Sequence, residues 1–149
     1  MMLYWTMRLV FDTDVVVAAL RSPAGASAAL IAGAIDGRLE FALSVPLVLE
    51  YEAVCLRPEQ LYASGLDVHD VVTVVDALIA TAVPVSSYYS WRPQLRDAGD
   101  ELVLDAAVNG GATHLVTFNL GDFGRAPQQF GIRSLRPADM LRLVRSRLA

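Results

Sequence analysis

No lysine occurs anywhere in this 149-residue chain; all 12 basic residues are arginine. That absence removes every mechanism that depends on a catalytic or phosphate-binding ammonium group. The single cysteine, Cys55, excludes an internal disulfide, and its helical setting reads as a small buried hydrophobe. Only two histidines occur, His69 and His114, and neither has metal-ligand spacing, so a zinc site of Cys and His is excluded too. No apolar run reaches the roughly 18–20 residues that a membrane span needs. Residues 1–6 are too short and uncharged for a secretory signal. They read as an upstream start or an extension ahead of one domain over 7–149. A cytoplasmic location without membrane contact is the expectation.

What is present is apolar. Hydrophobic residues make up 54% of the chain, and the mean hydropathy is +0.42. Such a composition suits a tightly packed core, an apolar face that pairs with another chain, or both. The net charge of −4 argues against a protein that coats nucleic acid indiscriminately. Arg136, Arg142, Arg145 and Arg147 crowd the C-terminus. They read either as a phosphate grip or as the solvated end of a helix, which the helix dipole favours.

Short apolar runs alternate with helical patterns. Strands are predicted near 8–12, 40–44, 114–118 and 131–135, and helices near 14–21, 26–36, 46–56, 68–81, 101–110 and 138–148. Ser44 followed by Pro46 marks a helix start, and Gly110-Gly111 a helix stop. The stretch 84–99 is the only long irregular segment expected. Alternation of this kind predicts an α/β fold with a central, mostly parallel sheet covered on both faces. Ligands in such sheets bind beyond the carboxyl ends of the strands.

Four carboxylates fall at the edges of apolar elements. Asp12 closes the first strand, Glu50 sits in a helical stripe with Leu47 and Val54, Asp100 opens a helix, and Asp122 follows the third strand. Each has an ordinary structural reading as a helix cap, a turn former or one half of an ion pair. Asp14 offers a second acid that could cap the first helix alone. Glu101 and Asp97 flank Asp100, and Asp105 lies one turn on. Thr117 adds a hydroxyl able to orient a carboxylate. Gathered together, four acids repel one another, and one or two divalent cations relieve that repulsion. An all-oxygen donor set selects Mg²⁺ or Mn²⁺. A hard cation beside an open cleft is equipment for phosphodiester hydrolysis.

Four segments of the chain resemble the PIN-domain nucleases, in particular their VapC-like toxin branch. They are Leu9-Val10-Phe11-Asp12-Thr13-Asp14, Leu43-Ser44-Val45-Pro46-Leu47-Val48-Leu49-Glu50, Asp97-Ala98-Gly99-Asp100-Glu101 and Leu115-Val116-Thr117-Phe118-Asn119-Leu120-Gly121-Asp122. Asp14 stands where the family usually has Asn, and Asn119 where many members have Asp, so the fourth acid is carried to Asp122. The resemblance implies a three-layer α/β/α PIN-like fold and Mg²⁺-dependent endoribonuclease activity. It assigns catalysis to Asp12, Glu50, Asp100 and Asp122, with Asp12, Asp100 and Asp122 as metal ligands. It also implies an RNA substrate, an antitoxin protein partner and a homodimer.

Two other readings stand beside it. Phe11-Asp12-Thr13-Asp14-Val15-Val16 also matches the signature of haloacid-dehalogenase-type phosphatases, with Asp12 as nucleophile and Asp14 as acid/base. The missing lysine counts against it. The second is a non-catalytic binding module on a PIN-like scaffold.

Overall fold

The computed structural model describes residues 7–85 and 95–148. The expectations for residues 1–6 and for most of the irregular stretch, 86–94, lie outside the described residues.

The first strand, β1 (Arg8–Phe11), is fully buried over Leu9, Val10 and Phe11, as a strand covered on both faces must be. It is followed by α1 (Thr13–Arg21), α2 (Ala26–Ile35), β2 (Glu40–Leu43), α3 (Val45–Cys55), α4 (Pro58–Ser64), α5 (Val68–Thr81) and β3 (Val83–Pro84). The remainder is α6 (Ala98–Asn109), β4 (His114–Val116), α7 (Leu120–Phe123), a 3-10 turn (Pro127–Phe130), β5 (Arg133–Leu135) and α8 (Pro137–Leu148). The strands form one sheet in the order β3-β2-β1-β4-β5, with every pair parallel. Helices cover it on both sides, which makes the three-layer α/β/α architecture that the alternation predicts.

The strand order reverses at β1: the chain leaves it toward β2 and returns on its other side as β4. In open parallel sheets such a reversal leaves a crevice at the carboxyl ends of the two diverging strands. Asp12 stands at the end of one and Thr117 at the end of the other.

The core is aliphatic with a few rings. Phe11 and Phe41 meet across adjacent strands at 5.7 Å between ring centroids. Such a pair contributes about 0.5–1.5 kcal/mol beyond area burial. Helices α1 and α2 meet at a bend of 103° and bury Val15, Val16, Leu30, Ile31 and Ala34. Among the described residues, no single helix is long and apolar enough to cross a membrane. Cys55 is buried, and burial pushes its thiol up to about 11, so it behaves as a hydrophobe.

Several boundaries differ from the sequence expectations. Helix α6 starts at Ala98 rather than 101, because the Asp97 side chain caps it by accepting the Asp100 N–H at 3.1 Å. Helix α4 was not expected, although Pro58 in its first turn and Gly65 at its left-handed end are ordinary start and stop signals. β3 is a two-residue edge strand, the place where a proline is tolerated in a sheet. Strand β4 ends at Val116, two residues short, and α7 forms in what reads as loop. Gly110 lets α6 press on β2: a Cβ there would lie 2.6 Å from Ala42 Cβ.

Candidate active site

Asp12 is 6% exposed and held at both ends. Its N–H donates to the Val116 carbonyl at 2.9 Å, continuing the β1–β4 ladder by one residue. Its side chain caps α1, with Oδ1 accepting the Thr13 N–H at 2.7 Å. Oδ2 accepts the Thr117 hydroxyl at 2.7 Å. Each carboxylate oxygen keeps a second lone pair. Behind Asp12, the buried Tyr51 hydroxyl donates to the Phe11 carbonyl and ties α3 to the end of β1. Sequence reasoning passed over Tyr51 as a positioning residue.

Of the two acids that could cap α1, Asp12 is the one that does so. Asp14 instead reaches across to the β4–α7 segment. Its Oδ2 accepts the Phe118 N–H at 3.2 Å and the Asn119 side-chain amide at 2.9 Å. Asp14 Oδ1 is buried without a hydrogen-bond partner, except when a proton is shared with the neighbouring Asp12 carboxyl.

Glu50 does not lie in the fully buried stripe of α3. That stripe is Leu47, Tyr51 and Cys55, while Val54 and Glu50 are half-buried beside it. From this flank Glu50 reaches the first turn of α6. A Cβ placed on Gly99 would be 3.5 Å from Glu50 Oε1 and 2.9 Å from Asp97 Oδ1. Gly99 therefore leaves room for two carboxylates at the helix start. Asp100 lies in the same turn. Glu101 accepts the Leu95 N–H and so braces the entry to α6. Asp105 is buried within α6, at 7% exposure.

Asp122 sits on α7, anchored by the buried Phe123. It opens on a cleft of about 890 Å³ whose wall also includes Asp97, Asp100 and Asn119. Arg96 and Arg125 line the same cleft. Both were missed, although each adjoins an acidic segment in sequence. The C-terminal arginines do not line it. Arg142 pairs with Asp139 at 3.2 Å, and Arg145 lines a separate hollow against α2. His114 sits 2.7 Å from the Thr113 hydroxyl at the start of β4, and burial lowers its pKa. It plays a structural part.

The acids of the cleft influence one another. Burial raises the Asp12 carboxyl; hydrogen bonds from Thr117 and Thr13 oppose this, and the Asp122 charge adds to it. Burial, the Asp12 charge and the Asp100 charge push Asp14 up to about 7. Asp100 rises to about 6 through burial and the charges of Asp12, Asp97 and Asp122. The fold thus sets Asp12, Asp14, Asp100 and Asp122, from three separate parts of the chain, near enough for their charges to act on one another. Burial and like charge both favour the neutral acid.

A hard divalent cation suits these residues. The donors are all oxygen, they crowd their own charge, and one buried carboxylate oxygen has no protein donor. Among the described residues, no group of three or more acid, cysteine or histidine side chains is arranged to hold a metal ion by itself. Mg²⁺ does not require one, because it usually keeps several waters and uses one or two carboxylates.

The family model described as PIN domain matches residues 8–121. Comparison with curated proteins finds no significant match.

Proposed function

The chain belongs to the PIN-domain family, whose members are generally metal-dependent nucleases, and on that premise we propose that it is an endoribonuclease hydrolysing RNA phosphodiester bonds with Mg²⁺ or Mn²⁺. The observation that carries this reading is that Asp100 and Asp122 share a cleft with Arg96 and Arg125, while the buried Asp12 at the end of β1 lies close enough to both acids for their charges to act on one another. Nothing in the phosphatase reading requires that arrangement. Asp14, its proposed acid/base, has one oxygen engaged by two donors and the other buried.

In this reading Asp12, Asp100 and Asp122 hold the cation and Glu50 supports them from α3. The bound cation supplies charge neutralisation at the phosphate and an activated water. The chain's own residues do the rest. Thr117 fixes the direction of the Asp12 carboxylate, and the Asp14–Asn119 contact holds the loop that carries Asp122. Arg96 and Arg125 meet the phosphates of the incoming strand, where a planar guanidinium grips two oxygens at once. Two of the chain's 12 arginines thus stand on the walls of the acid cleft.

The proposal extends to the role of toxin in a toxin–antitoxin pair, with an antitoxin protein and a second copy of the chain as partners. The exposed Val45, Leu49, Tyr62, Val68 and Ile79 supply apolar surface for such contacts.

The test is cleavage of a mixed RNA pool with Mg²⁺, Mn²⁺ or EDTA, wild type beside Asp12→Asn, with hydrolysis of p-nitrophenyl phosphate in parallel. Metal-dependent cutting that disappears in a folded Asp12→Asn protein is the expected result. Full activity in that variant sinks the mechanism. Phosphatase activity without RNA cutting would return the weight to Asp12 and Asp14 as a nucleophile pair.

A further inference from the structure

Asn119 lines two hollows: the acid cleft, and a groove of about 410 Å³ on the α1 side of the same loop. Val17, Ala18 and Arg21 of α1 form one wall of the groove, and Phe118 forms another. Phe118 is 45% exposed, whereas Phe11, Phe41 and Phe123 are buried. Its exposure does not come from a loose backbone. The Phe118 N–H donates to Asp14 Oδ2 at 3.2 Å, the Asn119 N–H donates to the Thr117 hydroxyl at 2.9 Å, and Val116 before them is in the sheet. A solvent-facing ring is thus carried on a hydrogen-bonded backbone one residue beyond the threonine that orients Asp12. Arg21, in the last turn of α1, makes no ion pair among the described residues.

We propose that this groove is a nucleobase subsite, taking one unpaired base of the RNA strand that enters the acid cleft. The inference rests on the nuclease reading above and names how that site would hold its substrate. The base stacks on Phe118 against Val17 and Ala18, Arg21 meets the neighbouring phosphate, and the Asn119 carboxamide oxygen accepts from an amino group on the base edge. Single strands are recognised in this manner, by an aromatic platform beside guanidinium groups. Asp14 also lines the groove, but its Oδ2 is taken by two donors and its Oδ1 is buried, which leaves Phe118 and Arg21 as the groups offered to a base and a phosphate. Continuity decides the occupant. A strand in the cleft passes Asn119 and meets the groove directly, and the free guanidinium of Arg21 matches a phosphate rather than a second acidic copy's apolar face.

The experiment is fluorescence anisotropy of a labelled single-stranded RNA in EDTA, where nothing is cut, with wild type, Phe118→Ala, Phe118→Trp and Arg21→Ala. The same strand is then scanned with one abasic nucleotide. Phe118→Ala should weaken binding about tenfold. Phe118→Trp should restore it, and an abasic nucleotide at one position should erase the difference between wild type and Phe118→Ala. Arg21→Ala should weaken binding and flatten its salt dependence by about one phosphate contact. Unchanged affinity in Phe118→Ala overturns the subsite, as does an equal loss on every abasic strand. A Phe118→Ala variant that changes oligomeric state on a sizing column assigns the groove to a second copy and overturns it as well. Metal-dependent cutting by the wild type that persists alongside those results leaves the nuclease reading standing; a protein that neither binds nor cuts RNA removes both.

Discussion

The Thr117 hydroxyl donates to Asp12 Oδ2 across 2.7 Å, joining residues 105 positions apart at the ends of neighbouring parallel strands. Both are buried, Thr117 completely. The contact selects one direction for the carboxylate, whose other oxygen accepts the Thr13 N–H. Thr117 also accepts the Asn119 N–H at 2.9 Å, so one hydroxyl aligns the first acid and the loop bearing the last.

Thr117→Val keeps the shape and removes the hydroxyl. It should lower Mg²⁺ affinity or RNA cleavage by about 10–100-fold, the usual cost of losing a partner that orients a metal-binding side chain. Thr117→Ser should recover most of the loss. Titration of Mg²⁺ against cleavage rate and against thermal stability checks it, and a valine variant indistinguishable from wild type in both would refute the assignment.

Tyr51→Phe deletes the hydroxyl that holds the Phe11 carbonyl at the end of β1. The loss should be about 1–2 kcal/mol of stability, because a buried carbonyl loses its donor. Urea unfolding followed by far-ultraviolet circular dichroism measures it. An unchanged midpoint would show that the contact contributes nothing.

Asp12, Asp14 and Asp100 all have folded pKa values above the ordinary 3.8 of aspartate, Asp14 near 7 and Asp100 near 6. Between the unfolded and folded values the native chain binds more protons than the unfolded one. Their contribution to stability is therefore greatest at low pH and is lost as pH rises through about 6 and about 7. The metal-free protein should melt at a lower temperature at pH 7.5 than at pH 5. Asp14→Asn should flatten that slope and add about 1 kcal/mol at pH 7.5, after allowance for solvent screening. Millimolar Mg²⁺ should stabilise the wild type more at pH 7.5 than at pH 5, and Asp12→Asn much less. Differential scanning fluorimetry across pH reads all three, and a wild-type midpoint that climbs from pH 5 to 7.5 contradicts the arrangement.

Glu50→Gln should reduce cleavage, because Glu50 reaches the first turn of α6. Glu52→Gln, two residues on, should be close to silent. Equal losses in the two variants, measured on the same RNA, would place the Glu50 effect in α3 itself rather than in the site.

Much of the molecule was legible along the chain. The strands near 8–12, 40–44 and 114–118 announced themselves by continuous apolar residues, each ending one or two residues earlier than expected, and Ser44-Pro46 marked the start of α3, because local preference and final burial agree there. Helix α4 and strand β3 were less legible, being short elements whose ends are set by packing against neighbours. The positions of Asp12 and Asp122 beyond strand ends were readable from alternation alone, since parallel strands carry their connections to the same edge.

What no local pattern contained was the partnership of side chains. Sequence spacing allowed either Asp12 or Asp14 to cap α1; the backbone turn after β1 gives the cap to Asp12 and turns Asp14 toward Phe118 and Asn119. It placed Glu50 in the buried stripe of α3, but the helix rotates Leu47, Tyr51 and Cys55 inward and leaves Glu50 at the flank, facing Gly99. The arginines that line the cleft are Arg96 and Arg125, not those crowding the C-terminus, because α8 packs on α2 while α6 and α7 frame the acids. The sequence by itself determined the layers, the parallel sheet and the edge at which its acids gather. Which carboxylate is held, by which hydroxyl and beside which guanidinium depends on contacts between residues about a hundred positions apart, and only tertiary packing decides those.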